Sequence, residues 1–162
     1  MPKAIVDRPP GRSLRFGLRL PIWLYRLKLS WLLGDRFLML THTGRKSGKS
    51  RQTIIEVVQH DNQTDTYYVV SGWGEKSDWY QNIRKSPEVT VQAGRRKFIA
   101  QAGPVPYDQA EEIMETYARE HPAAFRELNK LFLGKRVEPG KDDAGYLAER
   151  MPMIAFHPER TV

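Results

Sequence analysis

The arrangement of short apolar segments and turns constrains the fold of this chain more than any other feature. Six segments rich in apolar, aromatic or β-branched residues are predicted to be strands, namely residues 37–40, 53–59, 66–71, 89–92, 97–102 and 153–156. A polar turn at 61–65 and another at Gly94 join successive strands directly, which favours antiparallel pairing. The strand–helix alternation of a Rossmann domain is absent. We therefore predict an α+β fold built on a mostly antiparallel sheet.

Three helices are predicted around these strands. A short helix begins at residue 77 or 78 and runs through 84, and the other two span 108–120 and 122–133. Asp108 with Glu111 resembles a capping box at the start of the second helix. Residues 135–145 are predicted to be a loop.

The segment before the first strand is strongly basic. Prolines, glycines and arginines at 1–17 predict a flexible arm. Leu20, Leu24, Leu27 and Trp31 recur at helical spacing, so 18–33 is predicted to be an amphipathic helix. Because 162 residues fit one compact domain, we expect 18–162 to form a single domain that includes this helix. Its pattern is compatible with packing on the sheet or with contact to an anionic membrane surface.

The composition excludes several kinds of chemistry. The chain has no cysteine, which rules out disulfides, thiolate metal sites and cysteine nucleophiles. Its four histidines show no metal-ligand spacing, so no metal site is expected. No apolar run approaches the roughly 20 residues of a membrane span, and arginines interrupt any signal-peptide core. We expect a cytoplasmic protein, with peripheral contact at the inner face of the membrane as an option.

The formal net charge is +7, and it is unevenly distributed. Residues 1–51 hold twelve of the 26 Lys and Arg residues but only two of the 19 acidic residues. The stretch 43–51 (TGRKSGKSR) contains two glycines, four cations and no acidic residue. Glycines let backbone N–H groups converge, and Arg gives charge-assisted hydrogen bonds to phosphate or carboxylate. An anionic partner is therefore expected at this loop.

The loop is not a Walker A motif. Gly44 and Gly48 enclose three residues instead of four, and the following segment is predicted to be a strand instead of a helix. Nucleotide hydrolysis is therefore disfavoured. A solvated hairpin loop and a nucleic-acid patch remain alternatives, although no RRM, KH or zinc-finger pattern accompanies the loop.

A set of short motifs in fixed order extends beyond the loop. LMLTHTGRKSG at 38–48 is followed by Arg51, by Ser71-Gly72, by DWYQN at 78–82, and then by Pro87 and Val89. The set resembles the deazaflavin-dependent nitroreductase family, best over residues 31–105. The resemblance implies a split β-barrel of the FMN-binding, pyridoxamine-phosphate-oxidase-like type, with about six strands and flanking helices.

The same resemblance implies a cofactor and its binding residues. The cofactor would be coenzyme F-420, an 8-hydroxy-5-deazaflavin with a phosphodiester and an oligoglutamate tail, and FMN is the alternative. Arg45, Lys46, Ser47 and Arg51 are implied to bind the anionic tail, Ser71 and Gly72 to lie against the ring, Trp79 and Asn82 to line the same pocket, and Lys76 to assist. Independently, four cations exceed what one FMN phosphate requires, which favours the deazaflavin.

The implied activity is hydride transfer from reduced F-420 to an apolar acceptor such as a quinone. Ser71 is a candidate proton source; His42 is a weaker one, since a structural histidine is more common at such a position. Residues 121–126 lack the tyrosines that shape the substrate pocket of nitro-activating members, so nitroimidazole activation is not implied.

Other functions remain open on the sequence alone. They are an FMN-dependent reductase or oxidase on the same fold, a deazaflavin carrier without turnover, and a non-enzymatic nucleic-acid-binding module. Nucleic acid is the least favoured partner. A homodimer is expected only by analogy with related barrels.

Overall fold

The protein forms a closed six-stranded barrel in the part of the chain that the computed structural model describes, residues 36–133 and 141–162. The strands are β1 (Phe37–Thr43), β2 (Ser50–Asp61), β3 (Thr66–Val70), β4 (Glu88–Ala93), β5 (Arg96–Pro104) and β6 (Met153–Thr161). Their order around the barrel is β1-β2-β3-β6-β5-β4, and every neighbouring pair is antiparallel. The predicted fold class is confirmed. The predicted arm at 1–17 and the predicted helix at 18–33 lie outside the described residues.

β2 and β6 extend furthest beyond the apolar segments that predict them. β2 begins at Ser50 because its polar first residues pair with the end of β1, in the register Thr43↔Ser50. β6 continues to Thr161 because its polar second half pairs with β5. Backbone pairing satisfies the main-chain polar groups whatever the side chains are. Apolar patterning therefore underestimates a strand whose end is exposed.

Four α-helices accompany the barrel in the described ranges: α1 (Asp78–Lys85), α2 (Tyr107–Glu120), α3 (Pro122–Leu133) and α4 (Lys141–Arg150). The first three confirm the predicted helices. The predicted capping box is wrong, because α2 begins after Pro106 and no side chain caps it. Asp108 lies instead in the first turn, where its carboxylate is favourably placed against the helix dipole. No helix in these ranges is long and apolar enough to cross a membrane.

Helix α4 corrects the predicted loop at 135–145 over residues 141–145, and the part before residue 141 lies outside the described residues. Leu147 and Met151 are fully buried in the cluster that α2 also joins. Gly145 permits a close approach, since a Cβ there would lie 2.7 Å from Glu111 Oε1 and 3.3 Å from the Tyr107 hydroxyl. Few residues of α4 are apolar, so its periodicity is weak in the sequence. Packing against α2 supplies the stability that so short a helix lacks by itself.

The barrel separates two hydrophobic clusters. Its interior is filled from all six strands by side chains that include Leu38, Leu40, Val69, Val91, Phe98 and Phe156. The second cluster lies outside, where α2 and α4 pack against β3 and β6. β3 is buried over its whole length because it faces both clusters.

Strand register places several connections at one end of the barrel, here called the loop end. The pairs Thr43↔Ser50, Val70↔Met153 and Pro104↔Ile154 all lie there. The β1–β2 loop (44–49), the β3–β4 connection with α1, and the start of β6 therefore meet at this end. The hairpin 61–66 and the turn after Ala93 lie at the opposite end.

Candidate functional site

The β1–β2 loop is shaped by its two glycines. The Gly44 N–H donates to the Lys49 carbonyl at 2.8 Å, and the Gly48 N–H donates to the Gly44 carbonyl at 2.8 Å. Gly48 has a φ of +67°, which L side chains rarely adopt. A Cβ on Gly44 would lie 2.8 Å from Ser47 Oγ and 3.3 Å from the Lys49 carbonyl oxygen. The turn is therefore specific to glycine at both positions.

Helix α1 holds this loop against the barrel. Asn82 Oδ1 accepts hydrogen bonds from the Arg45 backbone N–H and from Arg45 Nη1, both at 3.0 Å. The Arg45 guanidinium also donates to Asp78 Oδ1 at 3.2 Å. Lys85 Nζ donates to the Arg45 carbonyl at 2.9 Å. Three residues spaced along one face of α1 thus fix the main chain and side chain of Arg45.

His42 lies behind Asn82 in the barrel. It is buried, and its Nδ1 lies 3.0 Å from Asn82 Nδ2. Because Asn82 Oδ1 faces two donors, its amide nitrogen must face His42 and donate to the ring. Burial, and secondarily the charge of Arg51, lower the pKa of His42 from 6.5 to about 4. The imidazole is therefore neutral near pH 7, with its proton on Nε2.

The remaining cations of the basic stretch 43–51 face solvent. Lys46, Lys49 and Arg51 are exposed, and none of them forms an ion pair with a described residue. Ser47 Oγ accepts from the Lys49 backbone N–H at 3.2 Å, so its own proton is available. The loop end therefore carries a positively charged surface, and the Asp78 carboxylate beside it is paired with Arg45.

The β3–β4 connection begins with a tightly bonded turn. Ser71 is fully buried, and its backbone N–H donates to the Pro152 carbonyl at 2.9 Å. Its Oγ lies 2.7 Å from the Gly74 carbonyl and 2.8 Å from Ser77 Oγ. A hydroxyl has one proton, so Ser71 donates to Gly74 and accepts from Ser77. The second bond explains why Ser77 precedes α1 without capping it.

The other predicted site residues lie on the same connection. Gly72 is buried, Lys76 is exposed, and Trp79 is half-buried against the interior cluster. The Trp79 ring meets Tyr80 edge-on, with 6.2 Å between ring centroids. The structure thus brings Arg45 and Asn82 into direct contact. It places Lys46 and Ser47 on the loop and Arg51 at the start of β2 beside it. Ser71, Gly72, Lys76 and Trp79 lie on the neighbouring connection, Trp79 within α1.

A cleft of about 310 Å³ opens on the opposite face of α1. Ile83, Ala102 and Ile154 form apolar parts of its lining, and Tyr80 and Arg84 also border it. Burial raises the pKa of the Tyr80 phenol, so this group is neutral at physiological pH. The loop end therefore offers a cationic surface and an apolar recess, separated by one short helix.

A sequence model of the F420H(2)-dependent quinone reductase family matches residues 26–130, which is more than half of the chain. The chain belongs to this family. Family membership makes the protein an oxidoreductase that depends on coenzyme F-420, and the predicted cofactor and reaction class are confirmed.

Solved structures share the fold of this quinone reductase family member. The F420-H2 dependent reductase FDR-A superimposes with a TM-score of 0.52 at 21% identity, covering 76% of this chain and 96% of that one. A domain-swapped dimer gives a TM-score of 0.52 at 20% identity, covering 85% and 99%. An FMN-binding protein related to pyridoxamine 5'-phosphate oxidase, from Nostoc punctiforme PCC 73102, gives 0.52 at 10% identity, covering 94% and 82%. All three similarities support the split β-barrel.

Sequence reasoning missed several contacts of this family member's loop end. Asn82 was predicted as a pocket residue, but Asp78 and Lys85 on the same face of α1 were not, although the i, i+4, i+7 spacing of the three was a signal that could have paired them with the loop. His42 continues the inward alternation of Leu38 and Leu40, which marks a buried polar group in need of a partner. Lys49 belongs to the predicted basic stretch but was not singled out as a binding residue.

Proposed function

We propose that this protein reduces a quinone with a hydride taken from reduced coenzyme F-420, and that its β1–β2 loop binds the cofactor's anionic tail. The observation that carries the proposal is the cationic surface at the loop end. Lys46, Lys49 and Arg51 have no anionic partner among the described residues, and α1 holds the loop that bears them.

The residues present fit a long anion. A phosphodiester followed by several glutamate carboxylates offers acceptors to three exposed cations and to the Ser47 hydroxyl. Arg45 is only a quarter exposed and already contacts Asp78 and Asn82. Its guanidinium would reach an anion only by sharing or leaving Asp78, whose side chain is 86% exposed. We therefore assign direct tail binding first to Lys46, Lys49 and Arg51, and assign Arg45 to the boundary between loop and helix.

The ring would lie on the β3–β4 connection. Gly72 and Trp79 offer a surface beside the barrel, and Lys76 adds a cation near the tail. Ser71 is fully buried and donates its proton to the Gly74 carbonyl. These contacts favour a structural role for Ser71 in stabilising the turn, instead of a role as proton source. The cofactor supplies the hydride, and the chain binds it, orients it and limits access of water.

The test is a fluorescence titration with F-420 and, separately, with FMN. Wild-type protein should bind F-420 more tightly, and reduced F-420 should be oxidised on addition of a soluble naphthoquinone. Arg51→Glu should weaken F-420 binding at least tenfold, because it removes one charge-assisted contact and adds repulsion. Arg95→Glu makes the same charge change in the exposed turn at the opposite end of the barrel, and should have little effect.

Two outcomes would contradict the proposal. Equal effects of Arg51→Glu and Arg95→Glu would show that the loop does not bind the tail. Preferential binding of FMN would show that the protein uses a flavin instead of the deazaflavin as its hydride carrier.

A salt titration gives a further check on the tail contact. Raising the salt concentration from 50 to 200 mM should weaken wild-type binding more than binding by Arg51→Glu, because screening acts on the contact that the variant has lost.

Two finer proposals concern partners. One structural neighbour is a domain-swapped dimer, which supports a homodimer of this chain; sedimentation velocity at two protein concentrations would test it. The amphipathic pattern of 18–33 supports contact with anionic lipid. Co-flotation with phosphatidylglycerol vesicles but not with phosphatidylcholine vesicles is the expected result.

A further inference from the structure

The hydrogen bonds that begin at Arg45 end inside the barrel at His42, a residue that the sequence offered only as a weak candidate proton source. His42 occupies the third inward position of β1, after Leu38 and Leu40. An apolar side chain at this position would continue the lining of the barrel. The histidine instead contacts Asn82, which is also buried and belongs to α1.

The direction of the hydrogen bonds along this network is determined. Asn82 Oδ1 accepts from two Arg45 donors at 3.0 Å, so rotating the amide would oppose donor to donor. The Asn82 amide nitrogen therefore donates to His42 Nδ1 at 3.0 Å. Only an unprotonated Nδ1 can accept this bond. A neutral His42 therefore selects the amide orientation that presents oxygen to Arg45.

We propose that His42 is a positioning residue for cofactor binding: through Asn82 it orients the Arg45 main chain, and with it the cationic loop that binds the F-420 tail. This inference rests on the proposed function and names a residue that acts without touching the cofactor. The effect of His42 on affinity should be confined to the phosphate and tail of F-420, because the ring would contact the β3–β4 connection instead of the loop.

The chain offers a pair of variants that separate positioning from folding. His42→Leu removes the acceptor but suits the apolar barrel interior, so the variant should still fold, because apolar packing offsets part of the cost of the unpaired Asn82 amide. His42→Asn keeps an acceptor oxygen at the δ position and should retain the bond to Asn82. Binding is compared for F-420 and for the same deazaflavin lacking the phosphate and tail.

We expect His42→Leu to bind F-420 about tenfold more weakly, with unchanged affinity for the tail-less deazaflavin and a cooperative thermal unfolding transition above the assay temperature. His42→Asn should restore most of the F-420 affinity. Amide hydrogen exchange without cofactor gives a second readout. Exchange of the 44–51 segment should accelerate in His42→Leu and stay near the wild-type rate in His42→Asn.

Several results would overturn the inference. Equal F-420 affinity in His42→Leu and wild type would remove the positioning role while leaving the proposed function intact. Equal losses for both ligands would indicate general damage to the fold. Unchanged exchange of 44–51 in His42→Leu would show that the loop does not depend on His42. If wild type bound no F-420 at all, the proposed function would fail, and the exchange data would still decide whether His42 orders the loop.

Discussion

The Tyr117 hydroxyl donates a 2.6 Å hydrogen bond to Glu56 Oε1, which joins α2 to β2 across 61 positions of sequence. Tyr117 is buried, and Glu56 also accepts from the Arg36 guanidinium at 3.3 Å. Burial, and then the hydrogen bond with Glu56, raise the pKa of the Tyr117 phenol far above its usual value of 10. This contact fastens the outer helical layer to the barrel.

Replacing Tyr117 with Phe should lower the free energy of unfolding by about 1–2 kcal/mol, because a carboxylate loses a buried donor. Urea denaturation at pH 7 measures the change. Tyr107→Phe is the matched control, since Tyr107 is half exposed and its bond to the Gly145 carbonyl is long at 3.5 Å. Equal effects of the two substitutions would contradict the assigned role of Tyr117.

The same contact predicts behaviour in alkali. The unfolded chain releases the Tyr117 proton near pH 10, whereas the folded chain retains it to higher pH. The stabilisation is therefore fully present below pH 10 and is lost as pH rises further. Tyr117→Phe should show a shallower decline in stability above pH 10 than wild type.

Asp65, at the opposite end of the barrel, should control part of the acid stability. Its hydrogen bond to Arg96, assisted by His60, lowers the pKa of Asp65 from 3.8 to about 2. A depressed folded pKa means that the stabilisation is present above pH 3.8 and disappears as pH falls toward 2. Asp65→Asn should therefore lose stability at pH 6 and show a flatter decline between pH 4 and 2.

Asparagine is the appropriate replacement because Asp65 has a φ of +56°, which Asn tolerates better than most residues. Thermal melting at pH 2 to 6 provides the measurement. Asp108→Asn, in the exposed first turn of α2, controls for the change in net charge. If the melting temperature of Asp65→Asn declined between pH 4 and 2 as steeply as that of wild type, the ion pair between Asp65 and Arg96 would be excluded as the cause of the decline.

His42 should destabilise the protein in mild acid. The unfolded chain takes up its proton near pH 6.5 but the folded chain only near pH 4, so stability falls as pH decreases between these values. His42→Leu should remove this contribution, so its stability relative to wild type should rise from pH 7 to pH 4. Urea midpoints measure the difference, and a constant gap would refute the prediction. His121→Asn, an exposed site, serves as control.

Asp78 should oppose cofactor binding, since it places a carboxylate at the edge of the cationic surface. Asp78→Asn should tighten F-420 binding about two- to fivefold at low salt, because it removes repulsion and loosens the exposed pair with Arg45. Fluorescence titration at two salt concentrations measures the effect, with Asp108→Asn as control. Weaker binding would mean that Asp78 is needed to orient Arg45.

Much of the barrel was predictable because its strands depend on local patterning. Each of the six apolar segments became a strand, and direct turns between successive strands favoured antiparallel pairing. The helix at 141–150 was not predictable, because Leu147 and the adjacent Met151 stabilise it only when they pack into the cluster that α2 joins. The capping box failed for a related reason: α2 starts at Tyr107, one residue before Asp108, so the aspartate is inside the helix.

At the loop end, the sequence by itself determined the chemical character of the surface: a glycine turn carrying four cations must favour an anion, wherever the loop lies. The ordered motifs also determined the family. Only the tertiary structure decided which cation is tied to α1, that Asn82 presents its oxygen to Arg45, and that His42 supports the amide from inside the barrel. These assignments link positions 33 to 40 residues apart, and hydrogen-bond direction depends on atoms that meet only when β1 and α1 pack together.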